Sequence, residues 1–130
     1  MKIFGMGTDI VSSKRIEKLI KKKNVIFLNK IFTKSEIQLS KKRRNNLLTL
    51  SKRFAAKEAF VKALGTGIRN GINFKDIEVI NDRYGKPFIN LKGKTKPIVN
   101  KKIKTNKYKI FLSLSDDSPW SVATVIITYQ

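Results

Sequence analysis

The sequence predicts an α+β protein, an antiparallel sheet with helices packed on it, and three observations carry that expectation. Residues 47–64 are rich in strong helix formers, contain no proline and stop at Gly65. Residues 74–80 and 87–91 are β-prone and flank Asn81-Asp82-Arg83-Tyr84-Gly85-Lys86, the signature of two strands joined by a turn. Residues 108–115 place Ile110, Leu112 and Leu114 at alternate positions, and Ser118-Pro119 separates them from the β-branched run 120–129. Those last two segments are expected to pair antiparallel.

The remaining elements follow in chain order. Residues 2–11 are β-prone except at Gly5, Gly7 and Asp9, so a strand running into a bend leaves Asp9 near a strand end. Ser12-Ser13 then cap a helix reaching about Lys22, with Ile16, Leu19 and Ile20 on one face. Lys14, Arg15, Lys18, Lys21 and Lys22 occupy much of the rest, which makes it a basic amphipathic helix. Residues 26–32 are apolar and ambiguous between helix and strand. Thr33-Lys34-Ser35-Glu36 has capping-box spacing before Ile37 and Leu39 and marks a short helix. The cluster at 41–46 reads as a solvated turn or helix end, and the lysine-rich stretch 92–107 as a loop or short helix.

A chain of 130 residues suits one compact domain over 1–130, and an apolar fraction of 41% supplies a core. The 29 Lys plus Arg against nine Asp plus Glu give a formal charge of +20, which favours an anionic partner; nucleic acid, phosphorylated ligands and acidic proteins all qualify. Lysine and asparagine are abundant throughout, so compositional bias explains part of that charge equally well. With no Cys there are no disulfides or thiolate metal sites, and with no His there is no His-based acid–base catalysis. Carboxylates, lysines and bound metal remain as the available chemistry. No window approaches a membrane span, and Gly and Asp interrupt the start where a signal peptide needs apolar sequence, so a soluble cytoplasmic protein is expected.

On the long helix, Glu58 and Lys62 are spaced i,i+4 and therefore neighbours, an arrangement that from spacing alone also describes an ordinary surface pair. Phe54 and Val61 share nearly the same face, which sets the Glu58 carboxylate at a core boundary where a charge wants a cation or a metal. Asp9 follows Gly5, Gly7 and Thr8, small residues that permit close approach by phosphate or backbone, although a lone Asp in such a setting equally makes a turn or cap. Gly65-Thr66-Gly67 is a plain helix C-cap or a phosphate-binding turn.

Three blocks in order resemble the holo-[acyl-carrier-protein] synthase family, the small bacterial 4′-phosphopantetheinyl transferases. They are Gly5-Met6-Gly7-Thr8-Asp9-Ile10-Val11, then Lys52-Arg53-Phe54-Ala55-Ala56-Lys57-Glu58-Ala59 with Lys62-Ala63-Leu64-Gly65-Thr66-Gly67-Ile68, then Leu112-Ser113-Leu114-Ser115-Asp116-Asp117 before Ala123-Thr124-Val125-Ile126-Ile127. Length and block order match as well, so the resemblance covers essentially the whole chain and implies that family's fold.

It also implies a reaction: a serine hydroxyl of an apo acyl carrier protein attacks the β-phosphate of coenzyme A, receives 4′-phosphopantetheine and releases 3′,5′-ADP, in support of fatty acid biosynthesis. Asp9 and Glu58 are the implied magnesium ligands, and hard carboxylate oxygens suit Mg²⁺. Glu58 and Lys62 are the implied catalytic residues; Arg53, Lys62, Gly65 and Thr66 the implied coenzyme contacts. The general base is Glu58 or a metal-associated water. Lys14, Arg15 and Lys18 are the implied docking residues for the acidic carrier protein, with a solvated face as the plain alternative. Similar proteins form homotrimers with active sites between subunits. Many relatives carry His where this chain has Asp116, so no coenzyme contact carries over there. A small nucleic-acid-binding protein is the rival reading, weakened because the lysines are dispersed and no aromatics interleave with them. An oligomer that has lost activity leaves Asp9, Glu58 and Lys62 unexplained.

Overall fold

The computed structural model describes residues 1–66 and 71–130, so Gly67 and Ile68 of the second block lie outside the described residues. In chain order the elements are β1 (Lys2–Ser12), α1 (Ser13–Ile31), α2 (Lys34–Lys42), α3 (Asn46–Leu64), a 3-10 turn (Phe74–Asp76), β2 (Ile77–Asn81), β3 (Pro87–Leu91), α4 (Thr95–Ile103), β4 (Tyr108–Asp117) and β5 (Trp120–Tyr129). The fold is α+β, as expected. Among the described residues the strands form two antiparallel sheets, a three-stranded one ordered β1-β5-β4 and the hairpin β2-β3.

Helix α3 is the centre of the molecule. Leu50, Phe54, Ala55, Ala56, Ala59, Phe60, Val61, Ala63 and Leu64 are all buried, because the sheet, α1, α2 and the hairpin surround it on several sides. Such a helix is apolar around most of its circumference rather than along one stripe. Val11, Ala123, Val125 and Ile127 project from the inner face of the sheet into the same core.

The seam between β1 and α3 is unusually close, and its residues explain why. A Cβ at Gly5 would collide with the Ala63 carbonyl oxygen; one at Gly7 would collide with the Ala59 carbonyl oxygen and lie 2.7 Å from Ala63 N and 2.9 Å from Lys62 Cβ. Glycines facing alanines thus let backbone lie on backbone. β1 runs straight through Asp9 to Ser12, with its irregularity between Ile3 and Gly5, so the expected bend at Asp9 is absent. Gly5 and Gly7 serve close approach instead.

Helix α1 also differs from expectation, continuing past Lys22 to Ile31. Phe27 is buried and Leu28 and Ile31 pack on the core, so the ambiguous segment extends the stripe of Ile16, Leu19 and Ile20. Ser12 caps α1 and Thr33 with Glu36 forms the full capping box of α2, both as expected. Where a strand was expected from residue 74, Phe74–Asp76 is instead a 3-10 turn whose buried Phe74 turns its carbonyl toward α3. In the β2-β3 turn, Asp82 Oδ1 accepts from Tyr84 N at 2.8 Å and Lys86 N at 2.9 Å, while Gly85 takes a φ of 84° that only glycine adopts freely.

The sheet face opposite α3 remains apolar and open. Ile3, Met6 and Ile10 of β1, Phe111 of β4 and Trp120 of β5 share that face and are each between 47% and 67% exposed.

Candidate active site

The seam brings the predicted residues together from elements distant in sequence. Because Gly7 lies against Ala59 and Ala63, Asp9, two residues farther along the same face of β1, meets the next exposed side chain of α3. Lys62 Nζ donates to Asp9 Oδ1 at 3.1 Å and to the Thr8 carbonyl at 2.9 Å. Asp9 is largely covered whereas Lys62 is half exposed, so the pair opens to solvent on the lysine side.

Glu58 lies one turn before Lys62 and is half-buried. Burial pushes its carboxyl above the usual range, the Asp9 charge pushes it further, and Arg15 and Lys62 pull the other way. Two carboxylates therefore sit close enough to repel, with two cations beside them. Among the described residues no group of three metal-ligating side chains occurs, and the carboxylates at this position are Asp9 and Glu58. A pair of carboxylates suits a hard divalent cation that completes its shell with water and substrate phosphate.

The other predicted residues fall in different places. Gly65 is the left-handed C-cap of α3, its N–H bonded to the Val61 and Lys62 carbonyls. Thr66 lines a groove of about 530 Å³ together with the apolar Leu64, Ile72 and Ile98 and the cationic Lys101, Lys102 and Lys104. Arg53 is not beside Glu58: it is 4% exposed, donates to Asn81 Oδ1 at 3.2 Å, and its Nε is buried without a partner among the described residues. Lys14, Arg15 and Lys18 are all exposed on α1, and the Arg15 guanidinium also lies 5.6 Å from the Phe54 ring centroid. Asp116 pairs with Lys52 at 2.9 Å.

No local pattern signals a second carboxylate–lysine pair, which joins α3 to α2. Lys57, next to Glu58, is fully buried and donates to Glu36 Oε1 at 2.8 Å and the Phe74 carbonyl at 2.9 Å. Glu36 also accepts from Thr33 N at 2.9 Å and Val79 N at 3.0 Å. Glu36 was legible only as a capping residue, because its other partners come from tertiary structure.

Comparison with known proteins identifies the family. The model of the 4′-phosphopantetheinyl transferase superfamily matches residues 5–123. A holo-[acyl-carrier-protein] synthase of Pelagibacter ubique is 53% identical over 98% of each chain, and one of Wolbachia pipientis is 48% identical over 98% of this chain and 99% of its own. Among solved structures, a holo-[acyl-carrier-protein] synthase from Neisseria meningitidis superposes with a TM-score of 0.85 at 38% identity, covering 97% of this chain and 98% of that one. The Helicobacter pylori enzyme, solved in complex with coenzyme A, superposes with a TM-score of 0.79 at 31% identity, covering 95% and 99%. With its first block and the described residues of its second meeting along the β1–α3 seam, its third forming parts of β4 and β5, and its length matched throughout, the chain belongs to the 4′-phosphopantetheinyl transferase superfamily.

Proposed function

We propose that the chain is a holo-[acyl-carrier-protein] synthase, moving 4′-phosphopantetheine from coenzyme A to a serine of an apo acyl carrier protein. The observation that carries this reading is the meeting of Asp9, Glu58 and Lys62 across the Gly7–Ala59 contact, in a chain of that superfamily. In the reaction the serine oxygen forms a bond to the β-phosphorus of coenzyme A while the bond from that phosphorus to the bridging oxygen breaks. The bridging oxygen leaves with 3′,5′-ADP, and the serine proton passes to Glu58, directly or through a water.

Lys62, tethered by Thr8 and Asp9 yet half exposed, faces the phosphoryl oxygens and stabilises the charge that develops on them. Asp9 and Glu58 would hold Mg²⁺, which on binding neutralises phosphate charge and polarises the transferred group. The mutual repulsion of the two carboxylates is what a cation relieves. Gly65, Thr66 and the lysine-lined groove are suited to the coenzyme phosphates.

Arg53 is suited to a coenzyme phosphate through its unpaired Nε, yet it lies away from Glu58 on the same helix. Both serve one substrate if the site is completed by a second copy. The open apolar sheet face is a surface such an assembly covers, and a homotrimer with intersubunit sites is the arrangement we favour. Lys14, Arg15 and Lys18 on the first turns of α1 present positive charge to an acidic carrier. Among the described residues no helix is long and apolar enough to cross a membrane, and we place this 130-residue unit in the cytoplasm, serving fatty acid biosynthesis.

The test is intact-mass spectrometry of apo acyl carrier protein incubated with the chain, coenzyme A and Mg²⁺. The carrier gains one phosphopantetheine group if the reading holds; several apo carriers remaining unmodified would overturn it.

A further inference from the structure

Helix α4 ends on a residue that a helix end does not ordinarily take. Lys104 caps it with a φ of 66°, and among the described residues it is the sole non-glycine with a positive φ. Glycine fills such a position without strain, as Gly65 does at the end of α3. A strained residue of this kind points to a use for its side chain. That side chain lines the groove of about 530 Å³ together with Lys101 and Lys102. All three lysines are exposed, and among the described residues none of them is ion-paired. The helix dipole accounts for Lys101 and Lys102 in the last turn, but it does not require a third cation on a strained backbone. The groove is also braced from beneath. The hydroxyl of the fully buried Thr95 accepts from Asn73 N at 3.0 Å and donates to Asp76 Oδ2 at 2.9 Å. Asn73 follows Ile72 and Thr95 lies one turn before Ile98, so this tie sets the spacing of two lining residues. Toward the other end of α4 the Tyr108 hydroxyl donates to Asn100 Oδ1 at 2.8 Å. Buried Leu64 and Ile72 beside three exposed ammonium groups suit an organic phosphate, with apolar surface for its body and cations for its charge.

We propose that Lys104 is a further coenzyme-binding residue: with Lys101 and Lys102 it takes a phosphate of coenzyme A in this groove, and its backbone gives up stability for that contact. This inference rests on the proposed function, and it assigns the strained cap to the coenzyme rather than to the acidic carrier. A residue kept for folding and a residue kept for binding respond oppositely to glycine at a left-handed position, because glycine relaxes the backbone while removing the side chain.

Calorimetric titration of the intact chain with coenzyme A and Mg²⁺, beside thermal melting, tests it. Lys104→Gly should melt at or above the parent while binding coenzyme A about threefold or more weakly. Lys104→Gln keeps the strain and loses only the charge, so it should melt with the parent and bind as weakly as Lys104→Gly. Lys104→Arg should bind as the parent does. Lys34→Gln, which removes one exposed charge at the start of α2, should change the affinity by less than about twofold. Steady-state transfer supplies the other arm: the Lys104 variants should raise the coenzyme KM and leave the carrier KM at the parent value. The proposal is overturned if Lys104→Gly and Lys104→Gln bind coenzyme A as tightly as the parent, or if they raise only the carrier KM. A Lys104→Gly that melts well below the parent would overturn it too, since the cap would then serve the fold. A parent that binds no coenzyme A overturns the proposed function and this inference with it, whereas a parent that binds and transfers while the Lys104 variants match it overturns the inference alone.

Discussion

Lys57 and Glu58 are adjacent in sequence and opposite in circumstance. Lys57 and Glu36 are both fully buried, and between them they gather the α2 cap, the 3-10 turn carbonyl and the middle of β2. Burial by itself pulls the Lys57 ammonium below its ordinary value, and Glu36 is the chief influence opposing it. Glu58, half-buried, faces another carboxylate, and its nearest cations are a half-exposed Lys62 and an Arg15 held by a ring. One pair is closed and satisfied; the other is open, crowded with like charge and short of partners. Closed pairs hold a fold together, and open ones are available to a substrate.

The largest effect is expected at the closed pair. Lys57→Met leaves Glu36 buried without its cation and should cost about 3–5 kcal/mol in urea unfolding, much of which Glu36→Met in the same chain should restore. An unchanged midpoint for the single variant would mean that the buried pair does not secure α3.

The seam comes next. Gly7→Ala pushes a Cβ against the Ala59 carbonyl and should cost about 1–3 kcal/mol while separating Asp9 from Lys62. Transfer should therefore fall further than stability does, and full activity would show that the close approach is not what builds the site. On the outer face, Phe111→Lys is expected to lower the mass seen by sedimentation to that of one chain and to reduce transfer with it. Activity persisting in a monomer would place the whole site within one chain.

The smallest effect concerns Glu58 itself. Its raised pKa means that the folded state holds this proton more tightly than the unfolded chain does, so stability is lost as pH rises through the folded pKa. Glu58→Gln, permanently neutral, should melt higher than the parent at pH 7 by an amount limited by solvent screening of this half-exposed group, with the difference shrinking as pH falls below the raised pKa. Equal or lower melting at pH 7 would remove the like-charge argument.

Much of this was legible beforehand, and the exceptions share a cause. The α2 capping box, the β2-β3 turn and the alternation in β4 are local patterns and appear where spacing puts them, although β2 begins at Ile77 rather than at residue 74. The tail of α1 was ambiguous because residues 26–32 form a short apolar run, and only the core contacts of Phe27, Leu28 and Ile31 decide for helix. Asp9 was read at a bend because glycines weaken strands; in the fold they are needed where β1 lies against α3. Glu58 and Lys62 were visible through their spacing, whereas Lys57 with Glu36 and Arg15 on Phe54 join residues far apart in sequence, which no local pattern records.

The proposed function assigns the chemistry to the open pair rather than to the closed one. Intact-mass spectrometry of an apo acyl carrier protein, treated with coenzyme A and Mg²⁺ and either the parent chain or Glu58→Gln, tests it most directly. The account predicts rapid gain of one phosphopantetheine group with the parent and a rate on the order of a hundredfold lower or less with a fully folded Glu58→Gln. Equal rates from the two proteins would contradict it.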